Sequence, residues 1–204
     1  MLTKFDQLVI ATRNRGKFVE IARLLRGTEV DLLSLDDFPE LPDVLEDGET
    51  FEENALKKAR FVSTSLGLPA LADDSGLCVD ALSGRPGVMS ARYAGPKADD
   101  RLRYIKILEE MREIEDHLRT ARFVCAVALV CPGGQEELFR GVCEGLILRE
   151  PRGVGGFGYD PIFYYEELGR SFGELDLETK NLVSHRGRAL KLFADFVLES
   201  QESM

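Results

Sequence analysis

The 204 residues predict a mixed α/β domain, a β-sheet with helices on its faces. Three observations carry that prediction. A short apolar run, Gln7 to Ala11, passes through a polar, glycine-containing turn straight into a stretch of helical period. Thr50 opens a second and longer helical stretch. The longest apolar run, Arg122 to Cys131, turns back over Pro132-Gly133-Gly134 onto another apolar segment, as a β-hairpin does.

Each element follows from local pattern. Gln7–Ala11 reads as a buried strand, and Phe18, Ile21, Ala22 and Leu25 give the first helix its apolar face. Glu29–Leu35 reads as a second strand, and the acidic, Pro-containing stretch 36–48 as a loop. Thr50 caps the next helix with Glu53 as its capping-box partner, and Phe51, Ala55, Leu56, Ala59, Val62 and Leu66 share one face. Pro69–Ala72 is a short strand ending in the paired aspartates, and Leu77–Leu82 continues as strand or turn. Three glycines and two prolines make 83–97 a loop, within which Arg85, Arg92 and Tyr93 face a ligand or hold the loop. A helix over 99–112 precedes the strand at 122–131, its hairpin partner at 138–142 and a further strand at 144–149. A final helix spans 187–198 and buries Ala189, Leu192, Phe193, Phe196 and Val197.

Composition narrows the function. With 44% hydrophobic residues the chain can bury a sizeable core, as one domain or two small lobes. No apolar run approaches the roughly 20 residues that span a bilayer, and Met1 to Asp6 has no secretory-signal pattern, so a cytoplasmic protein is expected. Cys78, Cys125, Cys131 and Cys143 have no metal-ligand spacing, so they are expected to be structural. Acidic residues outnumber basic ones 36 to 26, for a net charge of −10, which argues against nucleic-acid binding. An acidic protein can still bind a small polyphosphate through a local cluster of Lys and Arg with a divalent cation.

Four segments can carry chemistry. Thr12-Arg13-Asn14-Arg15-Gly16-Lys17 lies at a helix start, where backbone N–H groups attract anions. It is either a phosphate site or an ordinary βα turn, and it lacks the P-loop pattern. Asp73-Asp74-Ser75-Gly76 pairs two carboxylates at a strand end. Mg²⁺ would relieve their repulsion, or one would serve as a general base; an inert Asp-Ser-Gly turn is the competing reading. Among the acids before the second helix, Glu46 is the candidate metal ligand, although acids there also suit the helix dipole. Gly153 to Pro161 sets glycines around Phe157 and Tyr159, which would stack on a base, or else forms a tight structural loop. Ser184-His185-Arg186 precedes the final helix; a Ser–His triad is excluded, because adjacent residues rarely reach that geometry and no G-x-S-x-G elbow exists. His117 lies in a charged segment and reads as solvated.

Taken in order, these pieces resemble one family, the noncanonical purine nucleoside triphosphate pyrophosphatases, also called inosine triphosphatases or XTP/dITP diphosphatases. The matching runs are Ala11 to Lys17, Gly48 to Ala55, Ala72 to Leu77, Gly84 to Val88 with Ser90 to Tyr93, Gly155 to Pro161, and Lys180 with Ser184-His185-Arg186. The resemblance implies a homodimer whose elongated mixed sheet and flanking helices form two lobes around a central cleft, the whole chain 1–204 being one domain. It implies Mg²⁺-dependent hydrolysis of ITP, dITP and XTP to the monophosphate and pyrophosphate. By matching position, Thr12, Arg13, Asn14, Arg15, Gly16 and Lys17 would hold the triphosphate, and Ser75 would contact the substrate. Asp74 would be catalytic, with Asp74, Glu46 and Asp73 at the metal. Phe157, Gly158, Tyr159 and Asp160 would line the base and sugar pocket, and Lys180, His185 and Arg186 would meet the base. Two positions depart from the pattern: Leu45 precedes Glu46 where some members have a second glutamate, and Tyr159 stands where others have Trp.

The implied chemistry is water attack on a dense polyanion, which asks for neutralisation and positioning rather than covalent catalysis. A 6-oxo purine would be chosen over ATP by donors such as Arg186 and backbone N–H groups, and over GTP by crowding at the 2-amino group. The competing functions are a pyrophosphatase for methylated or pyrimidine triphosphates and a non-catalytic nucleotide-binding module.

Overall fold

The structure, a computed structural model, describes residues 5–26 and 30–202. The predicted strand start at Glu29 and the residues Met1–Lys4 lie outside them. Seven strands and five α-helices are described: β1 Gln7–Ile10, α1 Arg15–Leu24, β2 Asp31–Ser34, α2 Phe51–Leu66, β3 Ala70–Val79, α3 Asp100–Glu110, β4 Thr120–Val130, β5 Glu136–Ile147, β6 Phe163–Tyr165, β7 Arg170–Ser171, α4 Leu177–Val183 and α5 His185–Glu202. The sheet order is β2-β1-β3-β4-β5-β6-β7. β1 pairs in parallel with β2 and β3, whereas β6 pairs antiparallel with β5 and β7. The expected mixed α/β class is therefore found.

The chain divides into two compact units. The first comprises residues 1–74, 125–141 and 186–204; the second comprises 75–124 and 142–185. In the first, Leu8, Ile10, Leu71, Val127 and Leu129 from the strands pack with Ile21 and Leu25 of α1 and Ala189, Leu190, Phe193 and Val197 of α5. Fully burying one such side chain contributes about 1.5–3 kcal/mol. In the second, Leu77, Phe123, Ile147, Phe163 and Phe172 surround Ile107 and Met111.

Four expectations need correction. β3 does not end at the aspartates. It runs unbroken through Asp73-Asp74-Ser75-Gly76 to Val79, because its place inside the sheet, next to β4, overrides the local turn preference. The segments expected at 138–142 and 144–149 form one strand, β5, whose exposed and buried residues largely alternate. α5 begins at His185 rather than Gly187. Its buried stripe takes Leu190, leaving Leu192 exposed and Phe196 half-buried beside the core. Between Phe163 and Val183 no element was expected, because β6, β7 and α4 are too short for periodicity to register.

α2 begins as its sequence demands. Thr50 Oγ1 accepts from Glu53 N at 3.1 Å, and Glu53 Oε2 accepts from Thr50 N at 3.2 Å. Thr50→Ala is expected to cost about 1 kcal/mol, read as a lower urea midpoint at unchanged slope.

Candidate active site

The site-forming residues of the first unit begin at the α1 N-terminus. Asn14 is the N-cap, and its Oδ1 accepts from Lys17 N at 3.1 Å; Thr12 Oγ1 accepts from Asn14 N at 3.2 Å. Those two side chains build the turn and thereby aim the first amides of α1. Arg13 is spent elsewhere. Its Nε donates to Asp43 at 3.0 Å and its Nη2 to Leu41 O at 2.6 Å, which clamps the following loop. Arg15 is exposed, with no partner among the described residues. Gly16 is also exposed. Lys17 Nζ lies 3.0 Å from Asp73 Oδ2.

The aspartates are adjacent in a strand, so their side chains leave on opposite faces. This removes the crowding expected of a turn. Asp73 Oδ2 meets Lys17 and, at 3.3 Å, Arg186 Nε. Burial opposes its charged form, but Lys17, Arg186 and Lys58 together overcome that and hold its carboxyl far below the ordinary value. Arg186 Nη1 also reaches Glu20 Oε2 at 2.6 Å. The guanidinium is almost fully buried, yet the charges of Asp73 and Glu20 keep its pKa raised against that burial.

Asp74 has different surroundings. Asn54 Nδ2 donates to its Oδ2 at 3.0 Å, and Lys58 Nζ lies 3.9 Å from its Oδ1. Burial pushes its pKa above the ordinary carboxylate value; Lys58 pulls the other way and Glu46 adds to the rise. Lys58 Nζ also donates to Glu46 Oε1 at 2.7 Å and to Asp73 O at 2.6 Å. Several oxygens thus converge on one cation. Glu46 is brought there by a loop tied to the start of α2: Gly48 N donates to Asn54 Oδ1 at 2.8 Å and Lys57 pairs with Asp47. A Cβ at Gly48 would stand 2.8 Å from Asn54 Oδ1 and 2.9 Å from Glu53 Cβ, so only glycine fits. Among the described residues no three His, Cys, Asp or Glu side chains gather into a metal cage.

Asn54, Lys58 and Glu20 escaped the sequence reading, although a signal existed. Phe51, Asn54, Ala55, Lys58, Ala59 and Val62 follow the spacing of one helix face. Polar residues at two positions of an otherwise apolar stripe indicate a buried partner.

In the second unit, the glycine-rich loop is bonded largely to other segments of the same unit. A Cβ at Gly156 (φ +73°) would come 2.1 Å from Asp160 Oδ2. That carboxylate accepts from Phe157 N at 2.7 Å and from Lys180 Nζ at 2.7 Å, and both charged side chains are nearly inaccessible. Gly158 N donates to Asp100 Oδ2 at 2.7 Å and Gly155 N to Gly173 O at 2.9 Å. Tyr159 is buried, its hydroxyl donating to Ser90 O at 2.8 Å. Phe157 is therefore the aromatic with an exposed face, at 38% exposure, and Lys180 Nζ lies 4.5 Å from its ring centroid. His185 is buried with its ring stacked on Phe123, centroids 4.6 Å apart. Ser75 is half-buried in β3. His117 is exposed, as expected of a solvated residue.

The profile of the Ham1 family matches residues 8–196. A protein of Geobacter sulfurreducens named dITP/XTP pyrophosphatase is 57% identical over 189 residues, covering 93% of this chain and 95% of its own. A HAM1 protein from Coxiella burnetii has a similar structure, with TM-score 0.89 and 45% identity, over 96% of this chain and all of that one. A nucleoside-triphosphatase, or dITP/XTP pyrophosphatase, from Mycobacterium abscessus gives TM-score 0.77 at 46% identity, over 92% and 98% of the two chains.

Proposed function

The chain belongs to the Ham1 family, and from that premise we propose that it hydrolyses ITP, dITP and XTP to the nucleoside monophosphate and pyrophosphate. The observation that carries the proposal is Asp74: a buried carboxylate, raised in pKa, beside Lys58 and Glu46. A side chain so placed suits proton abstraction from water. The printed names of the relatives support the substrate class.

In the proposed reaction, water attacks the α-phosphorus as Asp74 takes its proton. The bond from that phosphorus to the bridging oxygen breaks, and the oxygen leaves with pyrophosphate. Lys17 and the first amides of α1 neutralise the phosphates. Asp73 takes the supporting part, as it holds Lys17 and Arg186 in place. The oxygens of Glu46 and Asp74 that converge on the Lys58 ammonium are hard donors of the kind Mg²⁺ accepts, and Mg²⁺ needs only one or two carboxylates beside phosphate and water. They fit it, with Asp73 as a secondary contact. Bound there, Mg²⁺ would neutralise charge on the phosphates.

Phe157 is proposed as the stacking face for the base. Recognition of a 6-oxo group is assigned to side chains, namely Lys180, His185 and Arg186; the amides of Gly155, Phe157 and Gly158 donate within the unit. The proposed setting is a cytoplasmic homodimer. Cys78, Cys125, Cys131 and Cys143 are free thiols, and no helix among the described residues is long and apolar enough to cross a membrane.

A panel of nucleoside triphosphates with pyrophosphate detection, with and without Mg²⁺, tests this reading. The expected kcat/KM for ITP, dITP and XTP exceeds that for ATP and GTP by at least about 10²-fold, and Mg²⁺ removal stops release. A preference for dTTP or UTP would overturn the assignment.

A further inference from the structure

A second cluster of positive charge lies in the 75–124 and 142–185 unit, on residues that take no part in the site described above. A cavity of about 260 Å³ is lined by Ile105, Leu108, Glu109, Arg112, Arg119 and Arg149. Arg119 is only 3% exposed. Its Nε, Nη1 and Nη2 donate to Ile147 O, Met111 O and Leu148 O at 2.7, 2.6 and 2.8 Å. A guanidinium has five N–H donors, so these three bonds leave two. Among the described residues no carboxylate lies within ion-pair distance of it, and Asp116 pairs with Arg149 Nε at 2.7 Å. Burial first, and then the Arg149 charge, press its pKa below the ordinary guanidinium value. Asp116 pulls the other way from beyond ion-pair distance, and a buried cation with no counter-ion in direct contact is costly. The Arg112 side chain is exposed with no partner among the described residues, while Arg149 donates from Nη1 to Arg112 O at 3.4 Å and from Nη2 to Ile114 O at 3.2 Å; Glu109 is the acid among the described lining residues.

We propose that this cavity is a binding site for a small phosphate-class oxyanion, held by Arg112, Arg119 and Arg149. Guanidinium forks match the several oxygens of such an ion. A cavity of this volume, lined by three arginines and one acid, has room for an inorganic oxyanion. The proposal does not depend on the role of Asp74.

Titration of the full-length protein with orthophosphate, and separately with pyrophosphate, tests it through the arginine side-chain N–H resonances. These report this cavity whatever binds elsewhere. Saturable shifts of the Arg119 and Arg112 signals are expected. Tighter pyrophosphate would identify the product of the proposed reaction as the occupant; equal or tighter orthophosphate would identify the free ion. Arg112→Gln and Arg149→Gln are exposed-side changes and should leave turnover unaltered. Each should weaken the Arg119 response about tenfold, the loss of one charge-assisted hydrogen bond. An Arg119 signal unmoved by millimolar anion, or a response undiminished in the double variant, would overturn the site.

Discussion

Asp74→Asn is expected to abolish Mg²⁺-dependent pyrophosphate release from ITP while leaving the fold intact. Loss of a general base alone costs on the order of 10³-fold in kcat, and here the same substitution also removes one proposed metal oxygen. Stability should behave differently. Burial already disfavours the charge on Asp74, so a neutral amide of equal shape relieves a cost. Asn54 Nδ2 can still donate to the new carbonyl oxygen, and Lys58 keeps Glu46 and the Asp73 carbonyl. The urea midpoint should therefore stay level or rise. A variant that unfolds easily would point to a structural role for Asp74, and one that turns over ITP at near the normal rate would remove it from the chemistry.

The sequence made the strands and long helices legible wherever period and caps agreed. Thr50 and Glu53 located the start of α2, and the apolar run at 122–131 located β4, because those signals are local. β3 was misread because its outcome is decided by neighbouring strands, which no window of sequence contains. The site was legible as a set of motifs but not as a division of labour. Nothing in the letters of Asp73-Asp74 says that one side chain turns to Lys17 and Arg186 and the other to Asn54 and Lys58. Strand geometry decides that. Tyr159 and Phe157 likewise looked equivalent, until packing took the hydroxyl of one to Ser90 and left the other ring exposed.

Arg186→Met should be the most destabilising of the single changes. Arg186 stands in the buried cluster Glu20–Arg186–Asp73–Lys17, where the side chains of Glu20, Arg186 and Asp73 are each 6% exposed or less. Removing one member of such a cluster leaves buried charge uncompensated and costs about 3–5 kcal/mol. That is a large part of the 5–15 kcal/mol typical of a folded chain. Lys at this position should not rescue it, since one ammonium cannot present the planar fork that spans Glu20 Oε2 and Asp73 Oδ2. The cycle with Glu20→Met separates charge from packing. If the deficit is uncompensated charge, the double variant Glu20→Met/Arg186→Met will be more stable than Arg186→Met alone, because an apolar pair replaces a broken ionic one. If urea unfolding instead shows the two losses simply adding, the cluster contributes through packed volume, and the electrostatic account of how Asp73 and Lys17 are held is wrong.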